Sequence, residues 1–172
     1  STWLIAIRWR GIFNGGSDSM TALIALSLWI IRCFELLPLG QVQALIQKAC
    51  LTYIAVQITL SYFLAGVAKL KHSEWRMGTA LAQFFRTPRY DSPPIWIKNL
   101  ADHAQHSQII SWAVIGFEIS FPLAWLNPSV CMVYLMAGFC FHVLNFYIFG
   151  LNRFIFAWLA GYPALYFLST SY

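Results

Sequence analysis

Lys69, Glu118, His142 and Asn145 each place an ionisable or amide group inside or at the end of an apolar run. Lys69 closes the run Tyr62-Phe63-Leu64-Ala65-Gly66-Val67-Ala68, and a basic segment carrying Trp75 follows as far as Gly78. An ammonium at such a boundary has two readings. One is an anchor, with its stem in lipid and its charge among the headgroups. The other is a proton acceptor brought into play by partial burial. His142 and Asn145 are three residues apart, so a helix puts them on one face. Read as spanning helices, Glu118 lies roughly 16 Å and His142 roughly 10 Å from the basic end. Lys69, Glu118, His142 and Asn145 therefore line one cavity open toward that end, or each ties helices together by itself. His142 also has a third reading, as an axial ligand to haem or chlorophyll. Arg32 and Glu35, three apart, pair with each other.

Other chemistries have no counterpart here. The sequence contains no H-E-x-x-H, no zinc-ligand spacing, no P-loop and no G-x-S-x-G. Metal hydrolysis and nucleotide chemistry are disfavoured, and no metal-ligand set is assigned. Cys33, Cys50, Cys131 and Cys140 all sit in apolar segments without C-x-x-C spacing, as small core residues do.

The elements that must position these side chains are membrane helices. The chain is 59% hydrophobic and only 10% charged, against about 25% charged in soluble domains. We expect an all-α integral membrane protein: a bundle of about five transmembrane helices, with one or two interfacial helices between the second and third. The spans run about Ser19 to Pro38, Leu45 to Leu70, Ser107 to Leu126, Ser129 to Phe149 and Arg153 to Ser169. Gly161 and Pro163 are expected to kink the last. The whole chain, 1–172, forms a single membrane domain, with helices expected before Ser1.

Residues 71–106 form a long basic interfacial connection. Trp75 to Phe85 reads as an amphipathic surface helix, and Ile95 to His106 as a second. Asn14-Gly15-Gly16-Ser17-Asp18 is a strong turn signal. Its residues cap the next helix, or its amides and Asp18 hold a ligand.

Basic residues cluster on one side: Arg8, Arg10, Lys69, Lys71, Arg76, Arg86, Arg89, Lys98 and Arg153, against Lys48 on the other. The positive-inside rule makes the first side cytoplasmic and puts the C-terminus outside. The net charge of +5 fits contact with anionic lipids rather than nucleic acid.

Several of these residues also carry a resemblance. Tyr62-Phe63-x-x-Gly66-x-x-Lys69-Leu70, followed by Trp75 and Gly78, resembles a stretch of the vitamin K-dependent gamma-carboxylases. It is similar too to their bacterial relatives, the horizontally transferred transmembrane (HTTM) domain proteins. Phe141-His142-x-x-Asn145 with Tyr162-Pro163, Phe117-Glu118-x-x-Phe121-Pro122-Leu123, and the turn at 14–18 have counterparts in the same order. The resemblance covers about Asn14 to Leu168. It implies a bacterial inner-membrane protein with a quinone or hydroquinone as cofactor. By the same resemblance Lys69 is the base, His142 and Glu118 serve the catalytic centre, and Asn145, Trp75 and Asp18 lie beside the cofactor. Where the animal enzymes carry a histidine, this chain reads Gly15-Gly16-Ser17-Asp18.

Two functions follow as expectations. One is a quinol-linked membrane enzyme with Lys69 as base. The other is a non-catalytic structural or accessory subunit of a larger respiratory, photosynthetic or similar membrane complex. Its partners are membrane lipids and, in the second case, other membrane subunits.

Overall fold

A chain this apolar satisfies its backbone polar groups most simply within helices, because lipid offers them no partner. In the computed structural model, residues 15–37, 40–86, 99 and 103–171 are described, and every element among them is helical. Long helices are α1 (Gly15–Glu35), α2 (Gln41–Lys71), α5 (Ala104–Ser120), α6 (Pro128–Phe149) and α7 (Asn152–Ser169). Two short ones, α3 (Ser73–Arg76) and α4 (Thr79–Arg86), follow α2. A 3-10 turn, Phe121–Trp125, extends α5.

Local chemistry sets the ends. Asn127 caps α6 by accepting a hydrogen bond from the Val130 amide at 2.9 Å, and Pro128 occupies the first turn. Gly150, in the left-handed region at φ 69°, ends the same helix. The surface helix expected over Trp75 to Phe85 is two pieces, because Gly78 at φ 75° breaks it. Helix α5 already begins at Ala104, so His106 belongs to the long helix and not to a second surface helix. Helix α7 runs through Pro163 without interruption. Gly15-Gly16-Ser17-Asp18, expected as a turn and cap, instead form the start of α1, so Ser17 and Asp18 lie inside the helix and do not precede it. The remainder of the expected second surface helix, and Asn14, lie outside the described residues.

The result is a mostly membrane-embedded all-α bundle. Among the described residues, four helical stretches are long and apolar enough to cross a membrane: Gly16–Glu35, Gln41–Lys71, Ala104–Trp125 and Pro128–Phe149. The fifth expected span, α7, is not among them. Its 18 residues include Asn152, Arg153, Tyr162, Pro163 and Tyr166, which dilute its hydropathy. It packs against α1, α2, α6 and the 3-10 turn. Its buried face is Ala157, Trp158, Gly161, Tyr162, Leu165 and Leu168. At Gly161 there is no room for a side chain, since Ile58 of α2 fills the space.

The outward faces are as apolar as the core. Trp29, Val133 and Phe156 are more than 60% exposed, as expected where the surrounding medium is lipid rather than water.

Candidate functional site

Each long helix buries one stripe, and Glu118 and His142 lie on those stripes. Helix α5 buries Ser107, Ser111, Ile115 and Glu118, spaced four, four and three residues apart. Helix α6 buries Cys131, Leu135, Gly138 and His142 with the same kind of spacing. Helix α2 buries Tyr62 and Gly66, and Lys69 is next on that face.

These stripes converge on a cavity of about 360 Å3, walled by α2, α5, α6 and α7 and covered by α3 and α4. Lys69, Glu118, His142, Asn145 and Trp75 all line it. Asp18 does not. Its carboxylate accepts from Arg153 Nη1 at 3.4 Å, joining the start of α1 to the start of α7.

The polar groups form two clusters. In the first, Lys69 Nζ donates to Glu118 Oε1 at 2.8 Å and to Oε2 at 2.7 Å. The side chains are 19% and 4% exposed, so this is a buried ion pair. Lys69 Nζ also lies 5.2 Å from the centre of the Trp75 ring, within cation–π range. Lys69 is thus neither a free ammonium reaching for headgroups nor an unpartnered amine.

In the second cluster, the Tyr62 hydroxyl is 2.7 Å from His142 Nε2 and 2.8 Å from the Tyr162 hydroxyl. His142 Nδ1 is buried and has no hydrogen-bond partner among the described residues. Gly138 lies against both tyrosine hydroxyls, and a methyl group there would collide with that of Tyr162. Much of the remaining wall is aromatic. Phe154 and Trp158 lie beside the His142 ring, and Phe141, Phe149 and Phe84 line the cavity together with Leu81, Val114 and Leu151.

Two further bonds hold the walls. Trp158 Nε1 donates to Ser61 Oγ at 3.2 Å, and Trp125 Nε1 donates to Thr59 Oγ1 at 2.8 Å. Both hydroxyls donate in turn to carbonyls of their own helix, Ile58 and Ala55. Each therefore accepts from a tryptophan while remaining satisfied itself.

The sequence reasoning missed the two tyrosines as site members. The signal was available: Tyr62 precedes Lys69 by seven residues, and Tyr162 follows Trp158 by four, so each shares a helical face with a residue of the cavity. No cluster of three or more metal-ligating side chains occurs among the described residues.

Together these features define a class: a polytopic helical membrane protein with an aromatic cavity holding one buried ion pair and one tyrosine–histidine chain. The family model described as HTTM domain matches residues 40–170, which contain the entire cavity lining. The chain belongs to the HTTM domain family. It is similar to the sporulation-delaying protein SdpB of Bacillus subtilis (strain 168), at 30% identity over 97 residues. That match covers 54% of this chain and 30% of the relative, so the chain spans well under half of that relative's length. No solved structure matches the chain.

Proposed function

We propose that the cavity is a binding site for a flat, lipid-soluble phenol of the quinol class, and that the Lys69–Glu118 pair is the proton acceptor for its hydroxyl. The observation that carries this reading is the meeting of that buried pair with the His142–Tyr62 chain across one aromatic cavity. Aromatic walls suit a planar ring, and apolar pockets with a few placed polar groups are the usual form of small-molecule sites. A buried ion pair has a neutral alternative, in which the shared proton sits on the carboxyl and the amine is a free base. In that form Lys69 Nζ takes the proton from the quinol O–H, leaving a quinolate beside the new ammonium. The resemblance to vitamin K-dependent gamma-carboxylases supplies the same role for Lys69. Asn145 and Trp75 flank the ring, and Asp18 acts at a distance by fixing α7 through Arg153.

The protein in this reading lies in a bacterial inner membrane, with its basic loops cytoplasmic and its C-terminus outside. Helix α7 is a fifth span. Its first turn pairs with the start of α1, its last turn meets Cys131 near the start of α6, and 18 residues rise about 27 Å.

The test is spectroscopic. Protein in lipid nanodiscs is mixed with reduced menadione, and the red-shifted absorbance of the quinolate is recorded. Wild type is expected to raise it, and Lys69→Ala to abolish the rise while keeping its helical circular dichroism. An unchanged signal in Lys69→Ala would overturn the assignment of the base.

A second reading has its own observation. Val133 and Met136 of α6 present a broad outward apolar face, which a neighbouring subunit covers as readily as lipid. In that case the chain is an accessory element of a larger membrane complex. Co-purification of a defined assembly in mild detergent, together with no quinol response, would favour it.

A further inference from the structure

Asn145 is the carboxamide of the cavity lining. It stands on α6 between His142 and Phe149, one turn from each, and faces inward with them. The ionisable and hydroxyl groups around it are engaged: Lys69 with Glu118, Tyr62 with His142, and Ser61 with Trp158. The Asn145 amide has no hydrogen-bond partner among the described residues, and neither of its polar atoms is closed off as His142 Nδ1 is. An asparagine in a membrane helix ordinarily bonds to a neighbouring helix. Here aromatic side chains line the space beside it instead, and an amide left unbonded there costs its desolvation. The partner that removes this cost has to come from the cavity.

The helix packing sets the reach of that partner. Helix α6 packs on α7 and the 3-10 turn, and keeps its backbone further from α2 and α5 than those two keep from each other. The cavity therefore separates two polar walls: the Lys69–Glu118 pair on α2 and α5, and Asn145 on α6. Lys69 is seven residues beyond Tyr62 and Asn145 three beyond His142. Both lie toward the end covered by α4, where Phe84 meets Phe149. We infer that the Asn145 carboxamide oxygen accepts the second hydroxyl of the bound quinol, so that the site selects an aromatic ring with hydroxyls at opposite ends, a para-diol, over a monophenol. This deepens the reading above and rests on it for Lys69 facing the first hydroxyl. When Lys69 Nζ takes the first proton, the second hydroxyl keeps its own, so its bond to Asn145 survives the transfer. The amide adds no charge beside the ion pair, and it holds the ring by its far edge with the reacting hydroxyl against Lys69. A monophenol reaches only one wall.

The discriminating quantity is a ratio of affinities. Replacing a structural asparagine weakens every ligand together. Replacing a ligand acceptor weakens only the one that carries the second hydroxyl. The two probes are reduced menadione and methylnaphthol, the same ring with the second hydroxyl missing.

The experiment uses the full chain in lipid nanodiscs without oxygen, as wild type and Asn145→Leu, with affinities read from quenching of tryptophan fluorescence. The preference for reduced menadione over methylnaphthol is expected to fall about 10-fold in Asn145→Leu, with the affinity for methylnaphthol unchanged. An undiminished preference overturns the inference, whether or not both affinities drop. Asn145→Ala is measured beside it and should show the same fall. Loss of helical circular dichroism in both variants makes the amide structural and also overturns the inference. The absorbance of the deprotonated ring, recorded on the same samples, reports on Lys69 separately. Anion absorbance without the fall in preference keeps Lys69 as base and removes Asn145 as the acceptor. The fall in preference without anion absorbance keeps Asn145 and removes Lys69 as base. Binding of neither ligand overturns both.

Discussion

Gly66 lies directly against Glu118: a methyl group on Gly66 would stand 2.9 Å from the Glu118 Cβ and 2.9 Å from the Ile119 backbone nitrogen. The missing side chain lets α2 and α5 approach, and Lys69, one turn beyond Gly66, then reaches the carboxylate with both bonds below 2.9 Å. Small residues at helix contacts serve this purpose in membranes, where close backbone packing must replace the hydrophobic effect. Gly66→Ala should therefore push the helices apart and destabilise the protein by about 1–3 kcal/mol. A thermal melt followed by circular dichroism in detergent measures this. Unchanged stability would show that the seam yields at no cost.

Breaking the ion pair from one side should cost more than removing it altogether. Glu118→Leu leaves the ammonium of Lys69 mostly buried and uncompensated, for an expected loss of about 3–5 kcal/mol. Adding Lys69→Met should recover most of that loss, because an apolar pair of similar volume carries no desolvation penalty. Melting temperatures of the two single variants and the double variant give the coupling. Simple additivity would mean that the pair does not act as a unit.

The Trp125–Thr59 bond offers a smaller and cleaner test. Trp125→Phe removes the donor at 2.8 Å but leaves Thr59 bonded to the Ala55 carbonyl. The expected loss is about 1 kcal/mol. Thr59→Val strands the indole N–H and should cost at least as much. Equal stability of all three proteins would place that N–H in contact with another acceptor.

Asp18 and Arg153 fix two helix starts at the same end of the bundle. After replacement of the four native cysteines, Asp18→Cys and Arg153→Cys should both resist a membrane-impermeant thiol reagent in intact cells. Both should react in inverted vesicles, while Thr170→Cys shows the reverse pattern. Labelling of Arg153→Cys and Thr170→Cys from the same side would remove α7 as a span.

The glycine that bends the surface segment makes a further prediction. Gly78 sits at φ 75° with its Cα against the backbone at Ser107 and Gln108 of α5. Gly78→Ala meets both strain at positive φ and a backbone that does not yield. It should loosen the α3–α4 cover of the cavity, measurable as faster proteolysis in that segment with the long helices retained.

Much of this was legible in the sequence because lipid leaves the backbone so few options. Long apolar runs dictated helices, Asn127-Pro128 and Gly150 marked their ends, and the scarcity of charge made Lys69, Glu118 and His142 stand out. The structure brings all three to one cavity. The extent of the surface helix was less legible, because one glycine at positive φ divides it. Helix α7 was read as a span by length, although Asn152, Arg153, Tyr162, Pro163 and Tyr166 lower its hydropathy.

What the sequence determined by itself was the all-α membrane class, the helix ends at Asn127-Pro128 and Gly150, and the small set of polar residues that a bilayer tolerates only for a reason. Only the tertiary structure decided that Lys69 is held by Glu118 rather than by headgroups, that His142 is tied through Tyr62 to Tyr162, and that Asp18 belongs to Arg153 and not to the cavity. The physical reason is that a membrane helix is apolar on every face, so hydrophobic periodicity does not mark which side turns inward. Rotation about the helix axis is set instead by where glycines let backbones meet and where buried polar groups find each other. Those pairings lie 49, 80, 100 and 135 residues apart in the chain.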